Sequence, residues 1–113
     1  MRPVAITLLA VLNLACTLLS NVAFKWSALS VTWREFITWQ VVGNLAGLAS
    51  VITFTLLLRL IPLNVAYAVT AGLGFVLVQA VGASFIFHEG IAPIAWFGSA
   101  LIVMGILLVS WGR

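Results

Sequence analysis

The stretch Leu12–Ser27, LNLACTLLSNVAFKWS, decides the fold of this chain. It closes an apolar run that carries no charge from Pro3 to Phe24 and stops at Lys25, yet it is marked by Asn13, Cys16, Thr17, Ser20 and Asn21. About 20 apolar residues cross roughly 30 Å of hydrocarbon as a helix, and this run is long enough. Polar atoms at that depth have no water to bond and must face protein, a cavity or a ligand.

The rest of the chain repeats the pattern. Of 113 residues, 65% are hydrophobic and 6% charged, and the mean hydropathy is +1.30, so lipid rather than water is the solvent for this sequence. Arg2, Lys25, Arg34 with Glu35, Arg59, His88 with Glu89, and Arg113 divide it into four stretches of spanning length. Helices are predicted at about 4–24, 37–58, 62–87 and 91–111, because backbone groups in lipid must pair within their own segment and no alternating pattern suggests a barrel. The expected fold is all-α, a single integral membrane domain over 1–113 with four transmembrane helices. Short connections predict antiparallel neighbours in one compact bundle, with a real loop only over 25–36.

Composition excludes several functions. The net charge of +3 is small and dispersed, which excludes a nucleic-acid partner and leaves modest affinity for anionic head groups. With one Cys, one His and two acidic residues, no disulfide framework or metal centre can be assembled within the chain, and no metal or cofactor is expected. No paired carboxylate, Ser-His-Asp set or phosphate-cradling Gly loop is present, so no enzymatic activity is expected. The "NLAC" box ending at Cys16 lacks the aliphatic residue of a lipoprotein cleavage site, and the first span is expected to be retained. Trp26, Trp33, Trp39, Trp96 and Trp111 lie near span ends, as in an interfacial belt. Arg2, Arg59 and Arg113 oppose Lys25 and Arg34, a near-balance that hardly specifies orientation.

Transport, pore formation or assembly remain, and the polar residues bear on the choice. At 100° per residue, Asn13, Thr17, Ser20 and Asn21 fall within an arc of about 100°. On the second helix Gln40, Gly43, Asn44 and Gly47 share a face, and GNLAG (43–47) is a G-x-x-x-G pattern suited to close helix approach. On the third, Asn64, Tyr67, Thr70, Ala71, Gly74 and Gly82 cluster. Such stripes serve either as helix–helix contacts or as the lining of a shared polar cavity. Four helices alone cannot surround a cavity and seal it alternately from both sides, so a second subunit is expected to supply the other half.

RLIPLNVAYAVTAGLG (59–74) and GSALIVMGI (98–106) resemble the third-helix signature and fourth-helix dimer motif of the small multidrug resistance proteins, in the drug/metabolite transporter superfamily. The resemblance implies a dimer of four-helix subunits in the plasma (inner) membrane, multi-pass, with Gly98, Leu101, Ile102 and Gly105 at the dimer interface and a hinge at Gly72 and Gly74. Fixed antiparallel or dual topology and a homodimer or a heterodimer with a paralogue are all compatible. The departures are informative. Thr17 stands where cation exporters of the family have a glutamate, eight residues before the lysine, and Thr70 stands where they have a tryptophan. FIFHEGIAPIAWFG (85–98) with Asn21 is similar instead to subunits that flip aminoarabinose-phosphoundecaprenol. That resemblance implies a flippase half for an anionic polyprenyl-phosphate-linked glycolipid or similar amphipathic substrate. The alternatives are a drug or cationic-metabolite exporter and a non-transporting accessory subunit.

On this reading Lys25, Tyr67, Asn21, Thr17, Asn13, Asn44 and Thr70 are candidate substrate-binding residues. Lys25 is equally a snorkelling anchor; Tyr67 has the alternative of a helix–helix contact, but a phenol among glycines and alanines has space beside it, which favours substrate contact. His88 and Glu89 read either as interfacial loop residues or as a gate that makes transport pH-sensitive. Membrane lipid and a lipid-linked glycan are the expected partners.

Overall fold

The computed structural model describes residues 2–112, which leaves Arg113 outside the described residues. Among the described residues there are four helices long and apolar enough to span a membrane: α1 (Arg2–Ala28), α2 (Trp33–Leu58), α3 (Leu63–Ile86) and α4 (Pro93–Gly112). The first helix continues a turn past Lys25, and the second begins four residues before the expected boundary. The expected loop over 25–36 therefore shrinks to a four-residue link, 29–32. Local chemistry accounts for this. Thr32 is the N-cap of α2, its Oγ1 accepting from the Glu35 N–H at 3.2 Å, so a capping residue and an acidic first-turn residue start the helix early. Ser27 donates to the Phe36 carbonyl at 2.9 Å and accepts from Gln40 Nε2 at 3.2 Å, tying the last turn of α1 to the first turns of α2. Pro62 and Pro93 sit at helix starts, where a missing N–H costs nothing.

Helix α3 is irregular. Ala68–Gly72 and Val78–Ile86 are wound as wider π-helical turns, with α-helical Leu73–Leu77 between them. Wide turns disturb the regular backbone ladder, and such irregularities in membrane helices are supported by Ser and Thr side chains and by neighbouring helices. Thr70 does this here: its Oγ1 donates to the Ala66 carbonyl at 2.9 Å.

The expected compact bundle is not what forms. The molecule is a slab of 48 × 33 × 18 Å, in which α4 stands against α3 and is not closed onto α2. Helices α1 and α2 make the main seam, α3 lies along α1 and touches α2 near its start, and α4 packs along α3. The seam is small and polar. Ser20 Oγ donates to the Gly43 carbonyl at 2.9 Å, and Asn13 Nδ2 reaches the Ser50 carbonyl at 2.7 Å and Thr53 Oγ1 at 3.2 Å. A methyl on Gly43 would sit 2.5 Å from the Phe24 ring, so the backbones approach as the GNLAG pattern predicts. In lipid there is no hydrophobic drive between apolar faces, so closing α4 onto α2 would rest on packing alone. Leu101, Met104 and Leu108 stay exposed on α4.

Candidate functional site

The slab leaves a shallow groove between α1 and α3, which run parallel as first and third helices of an antiparallel succession. Three confluent cavities follow it. The first, about 260 Å³, also has a wall from α2 and is lined by Asn13, Thr17, Ser50, Phe54, Tyr67 and Thr70 among others. The second, also about 260 Å³, shares Thr17, Thr70 and Ala71 and adds Asn21, Gly74 and Val78. The third, about 290 Å³, takes over at Asn21 and Val78 and ends at Lys25, Phe87 and Glu89. From Asn13 to Lys25 the row rises about 18 Å along α1 at 1.5 Å per residue, over half the thickness of the hydrocarbon.

Gly74 and Gly82 make this geometry possible. A methyl on Gly74 would lie 3.5 Å from Thr17 Cγ2, and one on Gly82 would lie 3.6 Å from Leu18 and Val22, so α3 meets α1 across two small residues and larger neighbours stand aside as the groove walls. Gly72 points the other way, to α4, where a methyl would fall 2.6 Å from Ile106 and 3.3 Å from Ile102.

Polarity is graded along the groove. At one end Tyr67 is 64% exposed and its ring stands edge-on to Phe54, centroids 6.4 Å apart. In the middle Thr17 and Thr70 line the same two cavities, and Asn21 Nδ2 donates to the Thr17 carbonyl at 2.8 Å. At the far end Lys25 Nζ lies 3.1 Å from Glu89 Oε2. His88 adopts a left-handed conformation, φ 53, which stops α3, and the Glu89 N–H bonds back to the Ala83 carbonyl at 2.8 Å. That turn carries the Glu89 carboxylate to Lys25. Around it Trp26 packs against Trp39 and Phe87, with ring centroids at 4.8 and 5.8 Å, as aromatic residues do at a membrane interface.

The structure thus brings Asn13, Thr17, Asn21, Lys25, Tyr67 and Thr70 to one groove. Asn13 contributes only an edge, since its amide is committed to α2. Asn44 is not brought there: it is exposed on α2 and donates to the Gln40 carbonyl of its own helix at 2.7 Å. Asn64 is likewise exposed and lines none of the three cavities. Gly98 and Gly105 have nothing within 4 Å of a built methyl and Leu101 is 53% exposed, so these three present an open strip on α4. Ile102 turns toward Gly72 instead. The sequence reading missed the pairing of Glu89 with Lys25, the Ser50 and Thr53 partners of Asn13, and a buried bond from Gln79 Nε2 to Ser99 Oγ at 2.6 Å. Lone polar residues in apolar runs, Gln79 and Ser99, were the available signal.

Two groups of known proteins are similar to this chain. A multidrug transporter of Pseudomonas aeruginosa is 40% identical over 55 residues, which covers 49% of either chain, about half the length of that relative. Probable 4-amino-4-deoxy-L-arabinose-phosphoundecaprenol flippase subunits ArnE of Salmonella enteritidis and Salmonella gallinarum are 32% identical over 77 residues, 68% of this chain and of theirs. No protein-family model matches the chain, and no solved structure matches it.

Proposed function

As the chain belongs to the small multidrug-resistance-like family of membrane transporters, we propose that it is one half of a plasma-membrane flippase whose α1–α3 groove carries the phosphate head group of an amphipathic lipid, such as a polyprenyl-phosphate-linked glycolipid. The observation that carries this reading is the groove's form: a row of neutral polar side chains, open along its length, with a lysine at one mouth. A head group held at Lys25 moves past Asn21, Thr17, Thr70 and Tyr67 while its tail stays in the bilayer. Thr17 and Thr70 supply hydroxyls that donate to or accept from a sugar, and neither holds a charge that would trap a phosphate midway. The wide turn of α3 at Ala68–Gly72, next to Gly74, supports a hinge there, because π-turns are positions where a helix bends and shifts.

The second half comes from another subunit, itself or a paralogue, docked on the strip at Gly98, Leu101 and Gly105. The open side of the groove and the naming of the Salmonella relatives as subunits favour this arrangement.

Export of cations is the second reading, favoured by the Pseudomonas relative. Against it stands the absence of any carboxylate in the groove above Glu89. A charge at the bilayer centre costs about 2.5–3.5 kcal/mol on insertion scales, and ion-coupled transporters retain one nonetheless.

Proteoliposomes test the choice. Lys25→Ala and Tyr67→Ala should each reduce binding and flipping of a polyprenyl-phosphate lipid, with Lys25→Arg retaining more than Lys25→Ala. Wild-type activity in both alanine variants would return these residues to anchoring and packing. Proton-coupled currents with tetraphenylphosphonium or guanidinium that survive loss of both His88 and Glu89 would restore the exporter.

A further inference from the structure

We infer that Glu89 is a specificity-determining residue of the groove, selecting head groups in which a phosphate is accompanied by an ammonium over head groups that carry a phosphate alone. This rests on the proposed passage of a lipid phosphate past Lys25. The observation behind it is the charge balance at the groove mouth. Lys25 and Glu89 pair at 3.1 Å, each side chain 44% exposed, and they are the two charged residues lining a cavity of about 290 Å³ that otherwise presents Asn21 and apolar groups. The position of Glu89 is set by the backbone: the left-handed turn at His88 and the bond from the Glu89 N–H to Ala83 hold it at the end of α3.

A phosphate without a counter-charge meets this pair as a competitor. To reach Lys25 it must displace Glu89 and then remain within a few ångströms of an uncompensated carboxylate, where like charges repel. A head group that also bears an ammonium exchanges partners instead, with phosphate on Lys25 and ammonium on Glu89, and no charge is left alone. The pair is half exposed, so it is weak and screened, and the exchange is open. Two sources offer this chemistry: a zwitterionic glycerophospholipid, and a polyprenyl phosphate esterified with an amino sugar.

Native mass spectrometry of the full chain released from detergent, in competition between lipids, tests the inference. One arm sets phosphatidylethanolamine against phosphatidylglycerol with the same acyl tails; the other sets an amino-sugar ester of undecaprenyl phosphate against undecaprenyl phosphate. The wild type should prefer the ammonium-bearing member roughly fivefold, the scale of one exposed ion pair. Glu89→Gln should erase that preference by strengthening binding of the bare phosphate. The exchanged pair Lys25→Glu with Glu89→Lys should retain the preference, since it still offers one charge of each sign, which a mere anchoring role would not predict. A preference in both arms assigns recognition to the head group, and one confined to the undecaprenyl arm assigns it to head group and tail together. Equal binding of the members by the wild type, an unchanged preference in Glu89→Gln, or an exchanged pair that favours bare phosphate would overturn the role of Glu89 and leave the phosphate groove standing. If neither tail binds with any head group, the groove reading falls, and this selectivity with it.

Discussion

Gln79 Nε2 donates to Ser99 Oγ at 2.6 Å, and Ser99 Oγ in turn donates to the Ala95 carbonyl at 3.1 Å, so α3 is bonded to α4 at a buried point. Both side chains are under 10% exposed, and this chain of hydrogen bonds is a polar fastening on an otherwise apolar contact. Interhelical bonds in membranes are worth about 0.6 kcal/mol on average and up to about 1.7. Ser99→Ala strands the Gln79 amide and should cost about 1–3 kcal/mol, more than the double variant Gln79→Leu with Ser99→Ala. Unfolding of the wild type, Gln79→Leu, Ser99→Ala and the double variant in mixed micelles gives the coupling, and a coupling indistinguishable from zero would mean that α4 is held by packing alone.

Close helix approach makes a second, contrasting pair of outcomes. Gly43→Ala drives a methyl against the Phe24 ring at 2.5 Å, a flat group pressed to the α2 backbone, and overpacking of this kind costs about 1–3 kcal/mol. Gly74→Ala meets Thr17 Cγ2 at an ordinary 3.5 Å and should unfold within about 0.5 kcal/mol of wild type. Equal stability of the two variants would show that Phe24 swings into lipid at no cost.

The turn at His88 is strained for a residue with a Cβ. A non-glycine residue held in the left-handed region costs about 1 kcal/mol or more, and glycine occupies it freely. His88→Gly should therefore match or exceed wild-type stability while keeping the Lys25–Glu89 pair, whereas His88→Val should lower stability and loosen the pair. A charge-specific crosslinker between Lys25 and Glu89 reports the pair, and lower yield in His88→Gly than in His88→Val would reverse this account of the turn.

Assembly is testable because the α4 strip is open. Nothing lies within 4 Å of a methyl built on Gly98 or Gly105, so bulk added there leaves the subunit's own fold intact. Gly105→Leu should hold two fourth helices apart and shift the protein to monomers in mass photometry. An unchanged dimer would move the interface off this helix.

The apolar runs between charges determined that this chain lives in a bilayer as four helices, because hydrocarbon admits no other way to pair a single chain's backbone here. Periodicity also determined that small and polar residues gather on faces, and GNLAG marked the close approach of α2. Which neighbour each face meets was decided by tertiary structure. Asn13 and Ser20 turn out to bond α2 while Thr17 and Asn21, one turn away on the same arc, line the groove. A 100° arc is wide enough to touch two helices, and helical spacing does not say which residue goes to which. Asn44 shares its stripe with Gly43 and still faces outward, since the seam passes through the glycine. The slab, rather than a closed bundle, follows from the lack of any force that distinguishes lipid from leucine. The pairing of Lys25 with Glu89 joins the first helix to the link after the third, and it depends on wide turns in α3 that shift the register of positions after Tyr67 and on the left-handed residue, His88, that follows the helix. A regular 3.6-residue projection contains no such shift, so the partner of Lys25 became visible only in three dimensions.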